Sequence, residues 1–319
     1  MDTLENLRRK LEGAEDIKSV VRTMKAVAAS NIGQYEMAVE SLGDYYHTIA
    51  LGIIAYFREG RLDVIKEMPE RSKNNEKLIC AIVFGSDQGL VGQFNDSLTG
   101  FVSKSLNNLQ GKKEIWAVGE RVQLLLSDVG FNITNHFQVP GSVNAITPLV
   151  GQILVKSEES REKGDTQEVY IFHNHPVSQA VYEPVSQRLL PLDEKWRQTL
   201  SELKWPTNKV PQVLGEIRTT LLELIDGYLF VSLFKACAES LASENSSRLA
   251  AMQRAEKNIE EMLDALNHKF HSLRQSTIDE ELFDVVSGFE ALKDDAQNKT
   301  KETSEFLAKF KTMREPNRS

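Results

Sequence analysis

Both ends of this chain carry apolar residues at a mean spacing close to ~3.5 positions, the period of a left-handed coiled coil. The N-terminal stripe comprises Leu4, Leu7, Leu11, Ala14, Ile17, Val21, Met24 and Ala28. The C-terminal stripe comprises Leu249, Met252, Ala255, Ile259, Met262, Leu266, Phe270 and Leu273. No proline interrupts residues 212–315, and a helix from Pro211 to about Glu290 would be ~120 Å long. Because a helix of that length is stable only against a partner, we predict that the two ends pair as an antiparallel coiled coil.

The middle of the chain, about residues 76–192, has a different pattern. The runs "KLICAIVFGS" and "EIWAVG" are short, apolar and rich in β-branched and aromatic residues, which is typical of strands buried on both faces. Helix-like segments at 92–107, 119–128 and 144–160 alternate with them, and "EVYIFHNHP" and "QAVYEPVSQRLLPL" are predicted to be two strands joined at Pro176. This alternation predicts a Rossmann-like α/β domain with a largely parallel sheet, inserted between the two helices.

These patterns divide the chain into four predicted parts. They are an N-terminal coiled-coil helix at 1–60, the α/β domain at 76–192, a long C-terminal coiled-coil helix at 209–290, and a polar extension at 291–319.

Composition excludes several classes of protein. The net charge of −8 argues against nucleic acid as a partner, which would require clustered Lys and Arg. Cys80 and Cys237 lie among apolar neighbours, so we expect buried free thiols in a reducing compartment. The N-terminus has no apolar signal segment, and the longest uncharged apolar run, 45–57, is too short to span a bilayer. We therefore expect an intracellular protein that meets a membrane only through partners.

The segment "FGSDQGLVGQFN", residues 84–95, has the strongest resemblance to an enzyme motif. Its residues Gly85, Gly89 and Gly92 do not have the spacing of a dinucleotide-binding loop, and Asp87 would repel phosphate. We interpret it as a structural tight turn. A nucleotide-binding enzyme is the less favoured alternative.

Two histidines, His173 and His175, alternate onto one face of a predicted strand, as metal ligands can. No cysteine or further histidine accompanies them. We therefore predict that their side chains are solvated or hydrogen-bonded within the core and that they form no metal site. No nucleophile motif occurs either, and the sequence predicts no catalytic residue and no cofactor.

The segment "ESLASENSSRLAAM" places Ser240, Ser243, Ser246 and Ser247 around the whole circumference of a helix. Such a helix could contact a partner on one side and slide past a surrounding surface on the other. A plain coiled coil with a polar outer face is the alternative.

Several segments together resemble one family. "LASENSSRLAAMQRAEKN" and "SLRQSTIDEELFDVVSGFEAL" resemble the C-terminal signature of the gamma subunit of F-type ATP synthases. "LRRKLEGAEDIKSVVRTMKAVAAS" resembles its N-terminal helix, and "GSDQGLVGQFN" its central glycine-rich motif. The resemblance covers about residues 1–291 in the family's order.

The resemblance implies a non-catalytic rotor subunit of a rotary ATP synthase. Its expected partners are the alpha and beta ATPase subunits, the epsilon subunit and the membrane c-ring, at the cytoplasmic face of a bacterial plasma membrane. It also implies beta-subunit contacts by Met24, Arg248, Arg274 and Gln275. Arginine suits such contacts because its planar guanidinium can bond two oxygens at once.

The chain departs from the family pattern at Gln88, Val91, Asn31 and Asp279, and it continues beyond Leu292, where the family normally stops. These differences suggest a divergent or second-copy member. The alternative from the residues alone is a non-rotary coiled-coil scaffold with an α/β binding domain.

Overall fold

The computed structural model describes residues 3–58, 78–162, 168–178, 181–192, 205, 207, 209 and 216–312. The chain forms two compact units, Val21–Ala255 and a second made of Met1–Val20 with Glu256–Ser319. The predicted join between the first helix and the domain, and Pro211 and Gly215 at the predicted start of the last helix, lie outside the described residues.

Five helices and five strands make up the described chain. In order they are α1 (Leu4–Arg58), β1 (Leu78–Phe84), α2 (Phe94–Asn107), β2 (Lys112–Val118), α3 (Glu120–Asp128), β3 (Ile133–Phe137), α4 (Val143–Glu162), β4 (Glu168–Ser178), β5 (Val181–Leu190) and α5 (Ile217–Thr312). Helices α1 and α5 contribute residues to both units.

The five strands form one sheet in the order β3-β2-β1-β4-β5. The first four are parallel, and β5 runs antiparallel to β4. The predicted, largely parallel α/β sheet is therefore confirmed. The predicted join at Pro176 is wrong, because β4 continues past that residue, which pairs with Tyr182 of β5. Strand β3 was not predicted from the sequence, because its residues alternate between half-buried and exposed until Phe137.

Helices cover both faces of the sheet, which explains why β1 is buried along its whole length. On one face, β1 packs against α2 and α3 through Leu98, Val102, Leu106, Val122 and Leu126. On the other face, β1 joins a core shared by α1, α4 and α5 that includes Ile53, Ile146, Val150, Ile153 and Leu233. The two long helices thus complete the core of the α/β domain.

Within the Val21–Ala255 unit, α1 and α5 run antiparallel at close range. A Cβ on Gly52 would lie 2.9 Å from Leu224 Cδ2, and one on Gly227 would lie 2.9 Å from Ile49 Cδ1. Such separations exist only because glycine has no side chain at the contact. In the other unit, Lys18 Nζ lies 2.9 Å from a carboxylate oxygen of Glu260. The predicted pairing of the terminal helices, with the domain inserted between them, is confirmed.

The buried positions of α1 are more regular than the predicted stripe. Every seventh residue is buried, namely Leu7, Ala14, Val21, Ala28 and Tyr35, which is the heptad repeat of a coiled coil. Ile17 was predicted to face the partner helix but is 58% exposed. On α5, Met262 is likewise exposed, and its neighbour Leu263 is buried instead.

Helix α5 does not end near Glu290 but continues to Thr312. Along the described residues, none of the helices combines the length and apolar character needed to cross a membrane.

Two isoleucines of α1 test this assignment of buried and exposed positions. Ile53 is fully buried in the shared core, whereas Ile17 is mostly exposed. Ile53→Ala should lower the free energy of unfolding by ~2–5 kcal/mol, since it leaves a cavity. The matched control Ile17→Ala should change it by about 0.5 kcal/mol or less. Denaturant unfolding monitored by circular dichroism measures both, and equal losses would contradict the assignment.

Candidate functional site

The turn after β1 holds the predicted residues Gly85, Asp87, Gly89 and Gly92. The Gly85 amide donates to the Val118 carbonyl at 2.9 Å, and a Cβ on Gly85 would overlap the side chain of Val122. Gly92 has a φ of +57°, a conformation that glycine adopts more readily than other residues do. Gly89, in contrast, has open space around it.

Asp87 joins this turn to two other segments. Its Oδ1 accepts a hydrogen bond from the Glu120 amide at 3.0 Å, and its Oδ2 accepts one from the Val139 amide at 3.1 Å. The first bond supplies a partner for the N-terminus of α3, where Gly119 offers no side-chain cap. Both carboxylate oxygens of Asp87 therefore serve the protein's own backbone.

Serine side chains of α5 dock on the same edge of the domain. Ser240 Oγ donates to the Phe84 carbonyl at 2.8 Å, Ser243 Oγ to the Asn174 carbonyl at 3.0 Å, and Ser247 Oγ to the Val91 carbonyl at 2.6 Å. All three serines are buried. The interpretation of these serines as a surface that slides past other proteins is therefore wrong, because they are bonded to the α/β domain of their own chain.

A cleft of about 360 Å³ with a mixed polar and apolar lining opens beside this contact, within the Val21–Ala255 unit. It brings together two predicted contact residues, Met24 and Arg248. Other lining residues are Asn31, Tyr35, Asp87, Gln88, Glu244 and Asn245.

Glu244 is the most unusual group in the cleft because it is a buried carboxylate. Its Oε1 accepts a hydrogen bond from Arg248 at 2.7 Å, while its Oε2 has no hydrogen-bond partner within the described residues. Burial raises the pKa of Glu244 above its usual range despite Arg248, and the negative charge of Asp87 adds to the effect. Buried carboxylates with a raised pKa are concentrated at functional sites.

The other two predicted contact residues, Arg274 and Gln275, lie on α5 in the second unit, and both side chains are exposed. Just beyond them α5 carries an exposed apolar stripe. Its members are Ile278, Leu282, Val285, Val286 and Phe289, at the helical spacing of one face. Exposed apolar side chains on one face of a helix are candidates for a contact with another molecule.

The histidines discounted in the sequence analysis have a third companion. His173 Nε2 lies 2.8 Å from Glu239 Oε2, and His175 Nδ1 lies 3.0 Å from the same oxygen. No metal site was predicted there because no further ligand lies nearby in the sequence. In the structure, α5 supplies one. Neither Glu239 nor Glu244 was predicted; the only signal was a glutamate placed among small residues in "ACAESLASENSSR".

The two cysteines offer no reactive thiol. Cys80 and Cys237 are both buried and free, and burial raises the pKa of each thiol well above its usual range. A thiol held protonated is a poor nucleophile.

Paired helices that carry an inserted α/β domain define the fold class of this protein. A family model described as ATP synthase matches residues 3–292, so this chain belongs to the ATP synthase family, as the sequence resemblance predicted.

Curated relatives match along nearly their whole length. The ATP synthase gamma chain of Cupriavidus necator is 26% identical over 293 residues, which cover 90% of this chain and 98% of that protein. The gamma chain of Clostridium botulinum strain 657 is 27% identical over 294 residues, covering 89% and 96%.

Solved structures share the fold. The rotor of the Euglena gracilis mitochondrial ATP synthase matches with a TM-score of 0.58 at 18% identity, covering 86% of this chain and 98% of that one. The central stalk and c-ring structure from Tetrahymena thermophila contains a chain that matches with a TM-score of 0.52 at 22% identity, covering 74% and 99%.

Two glycines of the turn provide a matched pair for a stability test. Gly85→Ala should lower the free energy of unfolding by ~1–3 kcal/mol, because the new methyl group would press against Val122. Gly89→Ala should have little effect, since nothing lies within 4 Å of the new atom. Thermal unfolding of both variants measures the difference, and a tolerated Gly85→Ala would contradict the close approach of β1 to α3.

The buried carboxylate makes stability depend on pH. Since the pKa of Glu244 is raised in the folded state, the folded chain retains this proton at a pH where the unfolded chain, with a pKa of ~4.3, has lost it. This contribution to stability is complete below the unfolded pKa and is lost as the pH rises through the folded pKa.

The reference variant for this pH dependence is Glu244→Gln, whose side chain does not titrate. The free energy of unfolding of the wild type, measured relative to this variant, should therefore rise as the pH is lowered from about 7 to about 5. Denaturant unfolding at a series of pH values measures the difference. A difference that is constant or that falls with decreasing pH would contradict the assignment.

Proposed function

We propose that this chain is the central-stalk rotor subunit of an F-type ATP synthase. It turns within a ring of alpha and beta ATPase subunits and couples ion movement through a membrane c-ring to ATP synthesis or hydrolysis. The chain itself is non-catalytic, and the nucleotide chemistry takes place on the other subunits. The observation that carries the proposal is the family match, which runs through α1, the α/β domain and most of α5.

The exposed apolar stripe on α5 supports the proposal that other subunits surround this helix. Helices α1 and α5 run antiparallel with Lys18 beside Glu260, so Leu4, where α1 begins, is level with Arg274 if both helices rise equally. The described part of α1 reaches to about that level, and beyond it α5 presents Leu282, Val285 and Phe289 to solvent. An apolar sleeve formed by the ring of alpha and beta subunits would cover these side chains.

Met24, Arg248, Arg274 and Gln275 contact beta subunits in this proposal. Arg248 uses one guanidinium nitrogen for Glu244, and the guanidinium has five N–H donors in all. Arg274 and Gln275 are exposed and can form polar contacts that are made and broken as the stalk turns.

The α/β domain binds the epsilon subunit and rests on the c-ring in this assembly. The chain is thus a peripheral component of a membrane complex, and we place it at the cytoplasmic face of a bacterial plasma membrane. Its membrane association comes entirely through these partners.

Rebuilding the complex tests the rotor role directly. The alpha and beta subunits of the same organism are assembled with and without this chain and combined with their membrane sector in sealed vesicles. ATP-driven ion pumping, followed with a fluorescent dye, should require this chain. A complex that pumps equally well without it, or purified chain that forms a stable homodimer and binds no beta subunit, would refute the proposal in favour of a scaffold.

Arg274 allows a sharper test of the beta-subunit contact. Arg274→Ala should weaken binding of the chain to the alpha–beta ring by roughly 1–2 kcal/mol, since truncating an interface arginine removes several hydrogen bonds. The thermal stability of the variant chain should not change, because the Arg274 side chain is exposed. Lys269→Ala, also at an exposed position on α5, is the matched control and should bind normally. Equal binding by both variants would remove Arg274 from the contact.

A further inference from the structure

Three side chains with metal-binding atoms converge between β4 and α5. His173 and His175 are two positions apart on β4, so they point to the same face of the sheet. Glu239 on α5 meets both of them with a single oxygen, Oε2, at 2.8 Å from His173 Nε2 and 3.0 Å from His175 Nδ1. The three ligand atoms all lie within 4.8 Å of one another.

The surroundings suit an ion that needs shielding and an entry path. His173 and Glu239 are each about 6% exposed, whereas His175 is 41% exposed and lies at the rim. A cavity of about 260 Å³ borders the cluster, and its lining includes Ser186, Gln187 and Ser232. The cavity leaves room for a water molecule as a further ligand.

Glu239 has a further charged neighbour beside the two imidazoles. Lys235 Nζ lies 3.7 Å from Oε1, which leaves Oε2 to the two imidazoles.

The donor set identifies the class of ion. Two imidazole nitrogens and one carboxylate oxygen suit Zn²⁺ and similar divalent transition metals, whereas Mg²⁺ and Ca²⁺ prefer oxygen ligands. Bond lengths near 2.1 Å and tetrahedral angles place ligand atoms about 3.4 Å apart. The two contacts to Glu239 Oε2 are a few tenths of an ångström shorter than this, and the separations of the three ligand atoms range up to 4.8 Å, so the side chains would have to rearrange to admit the ion.

We propose that His173, His175 and Glu239 form a binding site for Zn²⁺ or a similar divalent transition metal, with one coordination position open to the adjacent cavity. The ion would fasten strand β4 to helix α5. It would replace two hydrogen bonds with coordinate bonds and so hold the domain more firmly to the helix.

Titration of the full-length, metal-free chain with Zn²⁺ and with Co²⁺ tests the site. Isothermal calorimetry should show one Zn²⁺ bound per chain, and Co²⁺ should give the visible absorption of a tetrahedral site. Saturating Zn²⁺ should raise the melting temperature, because a ligand that binds only the folded state stabilises it. His175→Ala should weaken Zn²⁺ binding by more than roughly 100-fold, since even outer-shell changes cost 10–100-fold.

Because His175 is partly exposed, the His175→Ala variant should fold normally. Its melting temperature without metal checks this. Glu239→Gln is the second variant and should lose the Co²⁺ spectrum. The control is the double variant His268→Ala with His271→Ala, which removes two exposed histidines of α5 and should bind Zn²⁺ normally. Absence of saturable binding would overturn the proposal. So would an equal loss in the control, which would indicate surface binding only.

Discussion

Three serine-to-carbonyl hydrogen bonds determine how the long C-terminal helix can meet the sheet. Ser240, Ser243 and Ser247 donate to carbonyls at the end of β1, in β4 and in the glycine turn. Each bond contributes ~0.5–1.5 kcal/mol to stability. A larger side chain at these positions would keep the helix too far away, and an alanine would lose the hydrogen bond. The run of small polar residues in α5 is therefore a docking surface for the domain.

The sequence reveals local patterns and leaves distant contacts hidden. The apolar spacing of ~3.5 residues from Leu4 to Ala28 and the wholly apolar β1 could be predicted directly, since each depends on neighbours in the chain. The edge strand β3 was missed because its half-exposed residues carry no apolar run. The partners of Ser240 and Ser247 lie 156 residues away, and no periodicity encodes such a pair. Glu239 was missed as a companion of His173 for the same reason.

The two buried glutamates of this region differ in how well their negative charge is compensated. Glu239 has its two imidazole partners and Lys235, and its pKa is lowered. Among the described residues, Glu244 has Arg248 as the partner of one oxygen and none for the other, and burial raises its pKa. A buried carboxylate with an unsatisfied oxygen destabilises a fold, so its presence in an open cleft beside Met24 and Arg248 fits a site that a partner completes. In the proposed rotor, that partner is a beta subunit that supplies a hydrogen-bond donor as it passes.

The link between domain and helix bears on how torque would be transmitted in the proposed rotor. Apolar packing is non-directional, so on its own it resists twisting about a helix axis poorly. Hydrogen bonds and ion pairs weaken steeply when their angles change, and they fasten α5 to β4 at two levels. Glu239 meets His173 and His175, and one helical turn further on Ser243 bonds the Asn174 carbonyl. Because consecutive residues of one strand bond successive turns of one helix, rotation of α5 would carry the domain with it.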